Sequence, residues 1–182
     1  MKKFSMALVF ASAAILSSPA LATSSHCKSG EFDLLSAELS SKNQKSGALK
    51  NNGKVVSLCA DRAKEPFSSV AYRFGKICAV ELEKLATPQN VFFISNEMTG
   101  PRMGQNIVHF NSGDITYYVV EGTGMARGVG LYVFRSGKIL AEMLSDMEEG
   151  RDFTSNLGEV DFEKVKSQVF KIKKTKYPLL GL

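Results

Sequence analysis

Short runs rich in β-branched and aromatic residues recur along the chain between positions 32 and 144. Gly, Asn, Pro and Asp separate these runs, and the separators at 111–114 and 136–137 are typical of tight hairpin turns. Nine runs are predicted as strands: Phe32–Leu39, Lys54–Ala60, Ser69–Phe74, Cys78–Leu85, Val91–Ser95, Gln105–Phe110, Ile115–Val120, Gly128–Phe134 and Lys138–Leu144. The spacing predicts one all-β domain, an antiparallel β-barrel or sandwich of about eight strands.

The alternation of apolar and polar residues assigns side chains to the two faces of the sheet. Val70, Tyr72 and Phe74 alternate with Ala71 and Arg73, so one face of this strand is expected to lie in the core. Between positions 114 and 144 both faces carry apolar residues. This predicts either central strands or an outer face that meets the C-terminal segment or a partner.

The last part of the chain has a different period. Phe162, Val165, Val169 and Ile172 fall at i, i+3, i+7 and i+10, which predicts a short C-terminal helix packed on the sheet. Lysines follow this stripe, and a solvated chain end is a better interpretation of them than a membrane-binding surface.

The first 22 residues have the pattern of a cleaved signal peptide. Lys2 and Lys3 are followed by an apolar run at 6–16 and by small residues at 20–22. This run is too short to cross a hydrocarbon core of about 30 Å, so no stable membrane insertion is expected. The pattern predicts a mature periplasmic protein that comprises residues 23–182 as a single β-rich domain.

The charge of the chain excludes few function classes. Its formal net charge is +5, and removal of Lys2 and Lys3 lowers it further. That charge is too weak to argue for a nucleic-acid surface, so no nucleic-acid partner is expected.

Three cysteines in an oxidising compartment leave one unpaired. Cys27 and Cys59 lie at the margins of predicted strands, and a disulfide between them is predicted to stabilise the fold by roughly 3 to 4 kcal/mol. Cys78 shares a predicted strand face with Val80 and Leu82, which predicts a buried core thiol. Two alternatives stay open, namely that no disulfide forms or that Cys78 replaces one partner.

Residues suited to catalysis are scarce. The chain has two histidines, His26 and His109, and neither belongs to a recognisable nucleophile or zinc motif. Glu81 and Glu83 have a spacing close to that of paired glycosidase acids, but a solvated strand face explains them better. The sequence therefore predicts a protein that is not an enzyme and that has no metal ion and no cofactor.

Two loops offer groups suited to contact with a partner. The stretch from Glu121 to Gly130 contains four glycines and presents Thr123, Met125 and Arg127. A strand rather than a helix is predicted to follow it, which argues against a phosphate-binding loop. It is either a structural turn or a recognition loop, since Arg and Met are enriched in contact patches.

The second loop spans positions 96–104 and is expected to turn at Gly100-Pro101. It presents Met98, Arg102 and Met103, again a combination of apolar and basic groups. A methionine that folds back into the core is the competing interpretation.

Several short motifs resemble those of known families. The segments Val55–Ala60, Val70–Lys76 and Ala79–Glu83 look like the Val-Ser-Leu-Cys, Tyr-Arg-Phe-Gly and Glu-Leu motifs of a group of small, uncharacterised periplasmic β-proteins. Phe134-Arg-Ser-Gly-Lys138 is similar to a later turn of that group. The resemblance implies fold and location only, and Cys78 stands near where that group is expected to have a glycine.

A more distant likeness is to periplasmic and membrane-bound inhibitors of C-type lysozyme, which are small antiparallel β-barrels. Gly122–Gly128 resembles their Ser-Ala-Ser-Gly-Ala-Arg-Tyr segment at Ala126, Arg127 and, loosely, Thr123. The resemblance implies that an arginine beside a hydroxyl group enters an acidic catalytic cleft and pairs with its carboxylates.

These features predict a non-enzymatic periplasmic protein that binds a protein partner such as a wall hydrolase or a toxin. It would inhibit a cell-wall-degrading enzyme or give immunity against it. The alternatives are a small-ligand carrier or an envelope structural protein that uses the β-barrel. Bulky residues expected to point inward, among them Tyr72, Phe110 and Tyr117, favour a filled interior over a ligand cavity.

Overall fold

A computed structural model of the chain describes residues 24–125, 127–145 and 153–175. The predicted signal peptide, residues 1–22, lies outside the described residues. The strands are β1 (Phe32–Lys42), β2 (Leu49–Ala60), β3 (Val70–Lys76), β4 (Ala79–Ala86), β5 (Phe92–Gly100), β6 (Met103–Ser112), β7 (Ile115–Gly124), β8 (Gly128–Arg135), β9 (Lys138–Leu144), β10 (Phe153–Ser155) and β11 (Phe170–Ile172). Each of the nine predicted runs overlaps one of the first nine strands, which confirms the all-β prediction.

All strands of the described residues belong to one sheet. Its order is β11-β5-β6-β7-β8-β9-β1-β2-β3-β4, and β10 pairs with β1 beside this path. Every pairing is antiparallel except that of β11 with β5. The sheet therefore consists of two meanders, β1–β4 and β5–β9, joined where β9 pairs with β1.

The sheet is open, so the prediction of a closed barrel is wrong. Within the described residues β4 pairs only with β3, and β11 ends the other edge through three residues of β5. The sheet is nevertheless strongly curved. This curvature brings the rings of Tyr72 in β3 and Phe110 in β6 to 4.8 Å from each other across the concave side. Alternation predicts which face is buried, but it does not determine whether the two edge strands meet.

The hydrophobic core fills the concave side. It includes Leu58, Tyr72, Phe92, Phe110 and Leu131, and aromatic stacking joins Phe92 to Phe110 with ring centroids 4.8 Å apart. A second buried cluster lies on the other face of the middle strands: Ile107, Tyr118, Val120, Tyr132 and Phe134. Strands β6–β8 are thus buried on both faces, as the apolar residues on their two faces predict for central strands.

The predicted C-terminal helix is wrong. Residues 157–159 form one turn of 3-10 helix, and the chain then runs irregularly into the extended strand β11. The carboxylate of Asp161 accepts hydrogen bonds from the backbone N–H groups of Glu163 and Lys164, which are the contacts of a helix N-cap, but within the described residues no helix follows it. Val169 is fully buried without a helix, because the edge of β5 supplies the backbone hydrogen bonds of this segment.

The predicted disulfide is confirmed. Cys27 and Cys59 are bonded, with their Cα atoms 5.4 Å apart. The bond fastens the N-terminal segment, residues 24–31, to β2, and the backbone N–H of His26 donates to Ser57 Oγ beside it. The segment also reaches β3, because Glu31 pairs with Arg73.

The predicted burial of Cys78 is wrong, since its thiol is exposed. Cys78 lies in the turn between β3 and β4 and has a φ of 66°. A register shift between Phe74 and Gly75 moves the turn past the position that simple alternation suggests. Strand β4 therefore begins one residue later, at Ala79.

Within the described part of the chain, no helix has the length and apolar character needed to cross a membrane.

Candidate functional site

The two candidate loops are neighbours in the structure. One is the turn between β5 and β6, and the other is the turn between β7 and β8. Met103 pairs with Gly124 in the β6–β7 register, and the backbone N–H of Met125 donates to the carbonyl oxygen of Arg102 over 3.0 Å. We call this end of the sheet the hairpin-end surface. It consists of the side chains of Met98, Arg102, Met103, Thr123, Met125 and Arg127.

Glycine permits this close approach of the two turns. Gly124 has a φ of +69°, and a Cβ atom at this position would overlap the carbonyl oxygen of Arg102. Arg102 itself has a φ of 61°, which is unusual for a residue with a side chain. The two turns therefore support one another, and the glycines of the second loop have a structural role alongside any role in recognition.

The exposed groups of the surface are apolar or cationic. The side chains of Met98 and Met125 are 73% and 74% exposed, and Arg102 and Arg127 are exposed as well. Met103 is only half-buried, so it does not fold back fully into the core. Exposed methionines adapt to varied partner surfaces, and arginine pairs with carboxylates in a bidentate geometry.

A cavity of about 340 Å³ lies beside Arg127, between the end of β7 and β10. The Cζ atom of Arg127 lies 5.8 Å from the ring centroid of Phe153, a cation–π contact. Sequence analysis missed Phe153, since a single aromatic residue after a polar break gives no periodic signal. Its ring holds Arg127 at the rim of the cavity.

Polar side chains cross the concave face of the sheet next to this cavity. Asn96 donates to Asn106 over 2.7 Å, and Asn106 donates to the carboxylate of Glu121 over 2.9 Å. The register of β5, β6 and β7 places these three residues opposite one another. The row fixes Glu121 in the cavity wall, so this end of the concave face is polar whereas its middle is packed with aromatic rings.

The two histidines have different surroundings. His109 stacks between Phe93 and Tyr118, and its Nδ1 atom is buried without a hydrogen-bond partner among the described residues. A triad histidine has that atom bonded to a carboxylate. His26 Nε2 lies 3.1 Å from the carbonyl oxygen of Gly75.

The acidic residues singled out in the sequence have cationic partners. Glu81 pairs with Lys54 over 2.7 Å, and Glu83 pairs with Arg73 over 2.8 Å. The Arg73 guanidinium lowers the pKa of Glu83 below its usual range. The two carboxylates therefore do not form a matched pair of an acid and a base of the kind that glycosidases use.

One cluster of potential metal ligands occurs in the described residues, formed by Cys27, Glu31 and Cys59. Both sulfur atoms are used in the disulfide, and Glu31 accepts hydrogen bonds from Arg73. These ligand atoms are already committed to other bonds.

Comparison of the chain with protein-family models, with curated proteins and with solved structures found no match. The two resemblances that rest on short motifs therefore stay predictions.

Proposed function

We propose that this chain is a non-enzymatic binding protein that engages another protein through the hairpin-end surface. The observation that carries the proposal is the meeting of two loops that the sequence singled out separately. Together they expose two methionines and two arginines at one end of the sheet, where a backbone hydrogen bond joins the two turns. This combination is enriched at protein contacts.

The charge of the surface indicates the kind of partner. Arg102 and Arg127 are exposed cations, which favour a partner that presents carboxylates. The catalytic clefts of glycosidases that degrade the cell wall contain paired carboxylates. Inhibition of such an enzyme, or immunity against it, is the function that agrees best with this chemistry and with the resemblance of Gly122–Gly128 to lysozyme inhibitors.

The disulfide supports a location outside the cytoplasm. Such bonds persist in oxidising compartments, and the pattern of the first 22 residues is that of a bacterial signal peptide. The periplasm is the location in which both features are expected.

The packed interior favours this function over a small-ligand carrier. Tyr72 touches both Phe110 and Tyr117 across the concave side, with ring centroids 4.8 and 6.2 Å apart. A carrier of the lipocalin type keeps that space free for its ligand.

The test is an inhibition and binding assay with the mature protein against C-type lysozyme and a panel of other wall hydrolases. Replacing an arginine that pairs with a carboxylate in a water-poor cleft costs about 2 kcal/mol or more, so Arg127→Ala is expected to weaken binding roughly thirtyfold. Arg102→Ala should add to this loss.

The matched control is Arg135→Ala. Arg135 is similarly exposed but pairs with Asp114 at the opposite end of the sheet. Its replacement should leave the affinity unchanged. Equal binding by wild type and by the Arg102/Arg127 double variant, or failure of the wild type to bind any wall hydrolase, would contradict the proposal.

A further inference from the structure

A second cavity, of about 230 Å³, lies on the outer face of the sheet, far from the hairpin-end surface. His109 and Met103 are six residues apart along β6, which corresponds to about 20 Å. The cavity is formed by β6, β7 and the residues that follow β11: His109, Asn111, Thr116, Tyr118, Lys173, Lys174 and Thr175.

The charged side chains that line this cavity are all cationic. Lys173 and Lys174 contribute two ammonium groups, and none of the lining residues is a carboxylate. Thr116 Oγ1 donates to the side-chain amide oxygen Oδ1 of Asn111 over 2.9 Å. The amide N–H₂ group of Asn111 is therefore the part of that side chain that can donate to a ligand.

His109 forms the wall of the cavity. Its side chain lies between the rings of Phe93 and Tyr118, at centroid distances of 5.2 and 5.0 Å, and the residue is only 4% exposed. Among the described residues its Nδ1 atom has no hydrogen-bond partner, although leaving a buried polar atom unpaired is unfavourable. Lys173 is held nearby, with its Nζ atom 4.7 Å from the centroid of the Phe93 ring.

We propose that this cavity binds a small oxyanion, a carboxylate or a phosphate, through Lys173 and Lys174. Two ammonium groups and an amide donor offer several hydrogen bonds to one anion, and the aromatic wall reduces their competition with water. The bound anion would place a negative charge beside the imidazole ring of His109.

Binding is measured by NMR titration of the protein with inorganic phosphate and, separately, with acetate, each against sodium chloride of the same ionic strength. Saturable shifts are expected at His109, Lys173 and Lys174, and the tighter of the two ligands identifies the oxyanion class. Lys173→Gln combined with Lys174→Gln should weaken binding about tenfold or more, because charge-assisted hydrogen bonds are lost. Lys138→Gln, at the exposed start of β9, is the matched control.

The titration of His109 gives a second readout. Burial and the Lys173 ammonium lower its pKa to about 4. The groups that face the ring are Phe93 of β5, Tyr118 of β7 and Lys173 of the segment after β11. A bound anion stabilises the imidazolium, so saturating ligand should raise the pKa of His109.

Two results would overturn the proposal. One is the absence of a saturable shift at these residues with either anion. The other is an equal loss of affinity in the Lys138→Gln control, which would indicate nonspecific attraction to a basic surface. Both lysines of the double variant are exposed, and an unchanged melting temperature verifies that its fold is intact.

Discussion

Arg73 shows how one buried charge organises the N-terminal half of the molecule. Its side chain is 3% exposed, and its guanidinium donates to Glu31, to Glu83 and to the carbonyl oxygen of His26. The sequence placed Arg73 opposite the core face of its strand, which is correct, but alternation alone suggests a solvated arginine there. Its burial depends on the N-terminal segment, whose path over β2 and β3 leaves no periodic signal.

Replacing Arg73 should make the stability of the fold less dependent on pH in the acidic range. The Arg73 guanidinium lowers the pKa of both Glu31 and Glu83, so these carboxylates stabilise the fold above their unfolded pKa and lose that contribution as pH falls through the folded values. The wild-type melting temperature is expected to fall below about pH 4.5. Arg73→Met should have an unfolding free energy about 2 to 3 kcal/mol lower than that of wild type at neutral pH. Its melting temperature should be lower there and should fall less as the pH decreases.

Arg135→Met is the control for this series, because Arg135 is exposed and its ion pair with Asp114 lies on the surface. It should behave like wild type in thermal and urea unfolding between pH 3 and 7. Parallel pH profiles for wild type and Arg73→Met would contradict the role assigned to Arg73.

The sequence predicted part of the candidate site at the level of single residues. Thr123, Met125 and Arg127 lie on one turn and Arg102 and Met103 on the other, as the breaker residues indicate. The adjacency of the two turns depends on the register between β6 and β7, which no local pattern contains. The role of Phe153 depends on β10, a strand of three residues that pairs far along the chain.

At the level of secondary-structure elements, the sequence predicted where the strands lie but not the residues at which they begin and end. The runs from Phe32 to Leu144 have the composition and spacing of strands, and the sheet satisfies their backbone groups. The spacing of the apolar residues in the C-terminal segment is equally compatible with a helix. A helix of this length is marginal by itself, and the segment instead pairs its backbone with the edge of β5.

The N-terminal segment should depend on its disulfide. Replacing Cys27 and Cys59 together with alanine is expected to lower the unfolding free energy by roughly 3 kcal/mol, since the bond closes a separation of 32 residues. Urea unfolding measures this loss, and peptide mapping without reductant identifies the bond.

Cys78→Gly is the matched control for the cysteines. Cys78 is exposed and has a positive φ, which glycine adopts without strain. This variant should be as stable as the wild type or slightly more stable. A loss of stability comparable to that of the Cys27/Cys59 variant would contradict the assignment.

At the level of the whole molecule, β4 is an edge of the open sheet, and its outer backbone groups pair with no other strand of the described residues. Exposed Val80 and Leu85 lie on this strand, and Glu81 and Glu83 interrupt its apolar surface. Charges at such positions oppose pairing with a second chain. The curvature of the sheet was not predictable from the sequence, because closure depends on how two strands distant in sequence align.

Glu81→Val should make the protein self-associate. The change lengthens the apolar run of β4 while it removes only an exposed ion pair with Lys54, which contributes little to stability. Analytical ultracentrifugation should detect dimers or larger species that wild type does not form at the same concentration. Glu163→Val, outside the strands, is the control, and equal association of both variants would argue against an effect specific to the edge.

The pairing of β1 with β9 has a consequence for how the chain folds as it emerges, N-terminus first, into its compartment. Ser40 lies opposite Leu144, so one side of β1 cannot be completed until more than a hundred further residues have emerged. Until then the first meander has two open edges, β4 and β1, and β4 carries Glu81 and Glu83, which oppose pairing with another chain. Contacts between such distant residues slow folding, and the emerging chain is most prone to aggregation in the interval between the completion of β4 and the arrival of β9.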